Sequence, residues 1–508
     1  MMKQLGFSML PGEAWWGGSV HAGHEMPLTA QSVLTLDPDR GRENDQFAPL
    51  YVSSMGRYLW SERPFVLEAK AGRVECRGTG EILLEEGFGD LRGAYLAACR
   101  AHFPFTGTLP DRRFFTQPQY NTWIELGTDQ TTENILRYAR GILAHGLPAG
   151  ILMIDGGWQE DYGVFEFHKG KIPDPAYLMY ELHRMGFGVM IWTSPIVGSA
   201  GTHYKRLRDK GYLLLDKDGE IAIRKWWSGY SAVLDLSNPE AAEWYHGELH
   251  RLMDCYGVDG YKFDAGDVYF YQDSDRSHVP MLAREQTAVF NEAGSHYSLN
   301  EFRTAWKFGG KPIVARLHDK YHSWNDFGLN TLIPHTLLQG LLGYAYCCPD
   351  MVGGGILDCF NKGQKMDEEL FVRWAQANVF MGMMQMSVSP WRVLNEENAA
   401  RVVKALKLHA SLGETFYWLA QNAAQTGEPI TRHMAYAFPG QGFESVSTQF
   451  MLGDRLLAAP VLEKGAAEKT VWLPEGRWKS WKGETLQGGC KVTLPVTLDD
   501  IPHFERLD

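Results

Sequence analysis

Residues 150–155 read GILMID, residues 188–193 read GVMIWT and residues 260–264 read GYKFD. Each is an apolar run with the length of a buried strand, and two of them close on an aspartate. Helical spacing fills the gaps: 177–185 is one such stretch. Asn238-Pro239 opens another that runs to about Tyr256, with Asn at the cap and Pro in the first turn. Towards the N-terminus, 122–126 is strand-like and 132–145 helical. Towards the C-terminus, 298–302, 313–317 and 343–348 are further short apolar runs, with helical patterns between most of them. This β-then-α alternation predicts the α/β class, with a closed (β/α)8 TIM barrel over residues 111–427.

The flanks differ. Residues 1–110 hold β-like runs at 51–52, 64–68 and 81–85, separated by Gly and polar turns, then a helix over 91–102. They predict an N-terminal β-sandwich-like cap. From 428 to 508 the pattern is all-β, punctuated by Pro439-Gly440, Pro474-Glu475-Gly476 and Gly488-Gly489, which predicts a C-terminal antiparallel β domain.

Composition narrows the partners. The net charge of -12 and the lack of a Lys/Arg run exclude a nucleic-acid binder. No apolar run reaches membrane-spanning length, and residues 1–11 lack the apolar stretch of a secretory signal. The seven Cys are odd in number and show no C-x-x-C spacing, so neither a disulfide framework nor a zinc ribbon is expected. A reduced, cytoplasmic setting follows. Oligomeric state, including a homo-oligomer, stays open.

In such barrels chemistry sits at the C-terminal ends of the strands. Four predicted strands lead into an acid there: Asp155, Asp264, Asp319 and Asp350. Arg303 follows a fifth. Opposed carboxyl groups are what glycoside hydrolysis requires: one attacks the anomeric carbon, and the other protonates the leaving oxygen. The acid must keep its proton near neutral pH, through burial or the other carboxylate. The residues alone leave open which Asp takes which role.

Several stretches, in order, resemble glycoside hydrolase family 31. They are ILMIDGGW (151–158) with YGVFEFHKGKIPDP (162–175), IWTSP (191–195), GYKFDAGD (260–267), RTAWKFGGKPIVARLHDKYHSW (303–324), PDMVGGG (349–355), RWAQANVFM (373–381) and QFMLGDRLLAAPVL (449–462). The resemblance implies a retaining, exo-acting α-glycosidase that needs no cofactor and no metal. Asp264 would be its nucleophile and Asp319 its general acid/base. Arg303 would bind the sugar beside the acid and Asp155 would hold hydroxyls across the ring. Lys262 matches a sugar-contacting Lys of xylosidase-like branches. Trp192 would wall the pocket, Trp158 belongs to the strand-two motif, and Asp350 would brace the site. The substrate would be an α-linked oligosaccharide or glycoside. Double displacement sets the two carboxyl groups roughly 5–5.5 Å apart.

Three departures from the α-glucosidase pattern stand out. Lys262 replaces a Trp, and Arg316-Leu317-His318-Asp319 replaces Trp-x-Gly-Asp. Gln385-Met386-Ser387 occupies the place of Arg-x-His. The QMSVSPW run and AWWGGSVHAGHEMPL (14–28) instead resemble the myogenesis-regulating glycosidase branch, which would bring Trp16 to the pocket. That branch leans towards an α-galactoside, with α-glucoside, α-xyloside or transglycosylation as alternatives. A sugar-binding protein without turnover and a metal-dependent barrel hydrolase are the more distant rivals.

Blander readings apply elsewhere. His318-Asp319 is too lone a pair to suggest a metal, and His246 with His250 reads as a solvated helix face. Cys347-Cys348 reads as packing, and Gly353-Gly354-Gly355 as a close backbone bend rather than a phosphate loop. Trp226-Trp227 fits a leaving-group subsite and a buried loop anchor equally.

Overall fold

A computed structural model of the protein describes residues 2–38, 45–361 and 365–508. Eight short parallel strands form one sheet in sequence order: Gln119–Asn121, Ile151–Ile154, Gly188–Thr193, Gly260–Phe263, Asn300–Phe302, Val314–Arg316, Cys347–Cys348 and Gln385–Met386. The eighth pairs with the first, which curls the sheet into a barrel. Across the remaining seam Val352 N donates to Gln385 O at 2.8 Å.

The strands are apolar because both their faces are buried. Ile151 and Met153 join one apolar cluster, and Leu152 and Ile154 another, with the two-residue period of a pleated strand. Each such side chain contributes roughly 1.5–3 kcal/mol by leaving water. Helices between the strands begin at legible caps. Asn238 accepts from Glu240 N ahead of Pro239–Tyr256, and Thr131 accepts from Asn134 N ahead of Thr132–Ala144. The first of these stops at Gly257, whose φ of 82° is the left-handed conformation that glycine adopts without strain.

Two sheets precede the barrel. One orders Lys3–Ser8, Arg73–Gly78, Phe65–Lys70 and Leu34–Leu36. The other is built on Gln46–Ser53, Tyr58–Ser61 and Ile82–Glu85, with Trp15–Ser19 also paired to Gln46–Ser53. The barrel itself contributes to the second sheet: Ala305–Trp306, just beyond the fifth strand, pairs in parallel with Gln46 and Phe47. After the barrel come a six-stranded and a two-stranded sheet, interrupted by a helical turn at Met434–Ala437.

Some elements differ from expectation. The first strand lies at Gln119–Asn121, not 122–126, and Trp123–Leu126 is a turn of helix. Asn121 Oδ1 accepts from Trp123 N at 2.8 Å and Ser387 Oγ from Ile124 N at 2.7 Å, which bends the chain off the barrel end. The seventh strand shrinks to Cys347–Cys348, and the eighth is two residues long, too short for any periodic signal. The hairpin Ile223–Trp226 and Gly229–Val233, which carries Trp226-Trp227, also escaped the sequence pattern.

Candidate active site

The fourth strand, Gly260–Phe263, delivers Asp264 to the barrel end. Asp264 Oδ1 accepts from Arg303 Nε at 2.8 Å and Ala265 N at 2.9 Å, and Oδ2 accepts from Trp192 Nε1 at 2.9 Å. Burial alone would raise its pKa. The charges of Arg303 and Lys262, with the Trp192 hydrogen bond, outweigh that and hold it far below the usual carboxylate range. Asp264 is therefore an ionised carboxylate fixed on three donors. Ala265 sits at φ 55°, a strained conformation for a residue with a Cβ, and its N–H is one of those donors.

Lys262, on the same strand, donates to Asp155 Oδ2 at 2.7 Å, and both side chains are buried. Asp155 follows the second strand, held by Thr122 Oγ1 on its backbone N–H at 2.9 Å. Arg303, after the fifth strand, also reaches Asp267 Oδ2 at 2.8 Å through Nη2. Asp267 is pushed up to about 6 by burial, against the pull of Arg303 and with the charge of Asp264 adding to it. The indole of Trp227 lies 5.4 Å from the Arg303 guanidinium carbon.

Across the barrel end, Arg316 of the sixth strand donates through Nη1 to Asp319 Oδ1 at 2.8 Å and to Asp350 Oδ1 at 2.9 Å. Its Nε lies 3.4 Å from Glu301 Oε1. Burial raises the pKa of Asp350, Arg316 opposes this, and the neighbouring Asp319 charge adds to the rise. A Cβ placed on Gly355 would stand 2.8 Å from Asp350 Oδ1 and 2.9 Å from Asp319 Oδ1, so the bare backbone makes room for both carboxylates. Arg303 feels the charges of both Asp264 and Asp319, and Arg316 likewise.

Exposure separates these acids. The Asp319 side chain is 29% exposed and that of Asp264 11%, against 5% for Asp155 and 0% for Asp267, Glu301 and Asp350. Within the cluster, the two carboxyl groups most open to an incoming molecule are Asp264 and Asp319.

The family model described as "Glycosyl hydrolases family 31 TIM-barrel domain" matches residues 116–419, more than half of the chain. The chain belongs to glycoside hydrolase family 31. The model of the family 31 C-terminal domain matches residues 427–508. Myogenesis-regulating glycosidase of Mus musculus is 33% identical over 431 residues, covering 82% of this chain and 60% of that protein. Alpha-xylosidase XylQ of Lactiplantibacillus pentosus is 27% identical over 381 residues, covering 70% and 48%. The chain thus spans half to three-fifths of the length of these relatives. A family 31 α-xylosidase from a soil metagenome, solved with xylose, shares the fold at a TM-score of 0.86 and 20% identity, over 100% of this chain and 79% of that one.

Three residues named with the family 31 motifs are buried and spend their polar or aromatic groups on protein partners. Trp158 is fully buried and its Nε1 donates to Trp192 O at 2.8 Å, so it supports Trp192 from behind. Gln385 lies inside the barrel, donating to Glu301 Oε2 at 2.7 Å and Gln119 Oε1 at 3.0 Å. Trp16 packs on His433, ring centres 5.1 Å apart, in a small cavity with Met26, Pro334 and Leu337. Trp226 is the buried anchor of its hairpin, with Nε1 on Ser231 Oγ, whereas Trp227 is 52% exposed.

Two N-terminal residues reach the family 31 site unannounced. Gln46 Nε2 donates to the carbonyls of Arg303, at 2.7 Å, and Arg316, at 2.9 Å, and Asp45 Oδ2 accepts from His318 Nδ1 at 2.6 Å. Their only sequence signal is polarity at the start of an apolar strand. Glu301 was missed because it reads as an alternating strand position, and the bridging role of Arg316 because Glu301 and Asp350 come from other parts of the chain.

Proposed function

We propose that this chain is a retaining, exo-acting α-glycosidase for a terminal α-linked hexoside. The observation that carries the reading is the pair Asp264 and Asp319, the two most exposed carboxyls of a cluster whose other acids are 5% exposed or less. Asp264 is ionised and aimed by Arg303 and Trp192, as a nucleophile must be. It attacks the anomeric carbon while Asp319 protonates the leaving oxygen. In the second step the Asp319 carboxylate takes a proton from a water that attacks the anomeric carbon, the bond to Asp264 breaks, and the sugar leaves with its configuration retained. The paired Asp155 and Lys262 offer polar atoms to the sugar hydroxyls.

An α-galactoside is our preferred glycone. Gln385 and Met386 of the eighth strand and the following Ser387 are buried and include no histidine to read an equatorial hydroxyl. An α-glucoside or α-xyloside on the same catalytic residues is the second reading, favoured by Lys262 and by the α-xylosidase relative. The working compartment we infer is the cytoplasm, in keeping with seven unlinked cysteines.

A panel of aryl α-galactoside, glucoside, xyloside, N-acetylgalactosaminide and sulfoquinovoside tests this, with the product anomer followed by NMR. The α-galactoside is expected to turn over fastest, releasing the α-anomer first. No turnover on any member, or release of the β-anomer, overturns the proposal.

A further inference from the structure

We propose that His21, Asp45 and His318 form a binding site for one divalent transition-metal ion of the zinc type, where the N-terminal sheet meets the barrel. The donors come from three separate places. His21 lies on the 3-10 turn Val20–Glu25, Asp45 directly precedes strand Gln46–Ser53, and His318 follows the sixth barrel strand, next to Asp319. One ligand atom from each lies within 4.8 Å of the others. Asp45 Oδ2 stands 2.6 Å from His318 Nδ1 and 3.8 Å from His21 Nδ1. Among the described residues no other three His, Cys, Asp or Glu side chains meet this way.

Two imidazoles and one carboxylate are a common zinc set, leaving a fourth position for water. With zinc bonds of about 2.0–2.1 Å in tetrahedral geometry the donors stand roughly 3.3 Å apart, so the ion would replace the 2.6 Å hydrogen bond between Asp45 and His318 and draw His21 in from 3.8 Å. His21, whose side chain is 41% exposed, supplies the small movement that closure needs. The carboxylate is already oriented: His318 N donates to Asp45 Oδ1 at 3.1 Å, and Thr304 Oγ1 to Asp45 O at 3.3 Å. An outer ring surrounds the donors. His24 Nδ1 lies 3.2 Å from His335 Nε2, and Lys320 Nζ points to His335 Nδ1 and Thr331 Oγ1 rather than to the three donors. His21 and His24 line a cavity of about 330 Å³ whose wall also carries Glu25 and Asp37, two carboxylates that favour a cation.

An ion bound here would tie the acid-bearing loop to the N-terminal sheet. It would position Asp319 through the adjacent His318 and take no part in the chemistry itself.

The test uses the full-length protein, stripped with a chelator and titrated with ZnCl2 by calorimetry, with thermal unfolding in parallel. Wild type is expected to bind one equivalent and to gain in Tm. His21→Ala, at an exposed position, is expected to bind at least about tenfold more weakly and to lose the gain in Tm. His246→Ala, at a half-buried position beside His250 and His296, is expected to change neither the zinc affinity nor the zinc-induced gain in Tm. Zinc K-edge absorption on wild type is a second reading that needs no variant, and a shell of imidazole nitrogen and oxygen is expected. No binding by wild type, undiminished binding by His21→Ala, or a sulfur shell overturns the proposal.

Discussion

Arg316 Nη1 and Asp319 Oδ1 lie 2.8 Å apart, so the carboxyl group proposed as general acid rests on a buried guanidinium. The same Nη1 serves Asp350 at 2.9 Å, and Gly355 gives both carboxylates their space. Gly355→Ala would drive a methyl group between them. The expected result is a kcat at least tenfold lower, with a stability loss of about 1–3 kcal/mol from overpacking. Steady-state rates and urea unfolding check both, and an unaltered kcat would mean the carboxylate positions do not matter.

Asp264→Asn keeps the shape of the side chain and removes its charge. A fall in kcat of at least about 10³-fold is expected on the best aryl glycoside, the scale seen when a catalytic group is deleted. Near-normal turnover would remove Asp264 from the nucleophile role.

Lys262 and Asp155 are a buried pair at 2.7 Å. Lys262→Met strands the Asp155 charge and is expected to cost about 3–5 kcal/mol. Adding Asp155→Asn should restore part of that loss. Urea unfolding of both single variants and the double variant measures the coupling, which additive losses would contradict.

Asp267 has its pKa raised by burial to about 6, so between roughly pH 4 and 6 the folded chain holds a proton that the unfolded chain releases. Stability from this group therefore declines as pH rises through that window, by at most about 1.4 kcal/mol per pH unit. Asp264, held low, acts oppositely and at lower pH: its contribution is present above about pH 4 and fades below. Asp267→Asn should flatten the slope between pH 4 and 6 and leave the acid limb in place. Urea midpoints across this range provide the comparison.

Trp227 is 52% exposed and lies over Arg303. Trp227→Ala should change stability by no more than about 0.5 kcal/mol, as at other exposed sites. The proposal that Trp227 stacks on the leaving sugar predicts a kcat/KM for a disaccharide lower by about tenfold. The α-glycosyl fluoride, with no leaving sugar, should be unaffected. Equal losses on both substrates would place Trp227 at the glycone instead.

The sequence by itself determined the barrel, because a parallel strand buried on both faces must be a short apolar run, and GILMID, GVMIWT and GYKFD are such runs. It also placed Asp155, Asp264, Asp319 and Asp350 near one another, because acids that follow successive barrel strands share one end. Only the tertiary structure decided which polar groups face each other across that end. Strands of two residues, Cys347–Cys348 and Gln385–Met386, have no period to read and exist through their neighbours' hydrogen bonds. Trp16, Trp158 and Gln385 lay in recognised motifs, but only the structure decided what they pack on or bond to. Asp45, Gln46 and His21 come to the site from far along the chain, through the strand that Ala305–Trp306 adds to the N-terminal sheet. Contacts between distant segments depend on how layers stack, and local pattern carries no record of that.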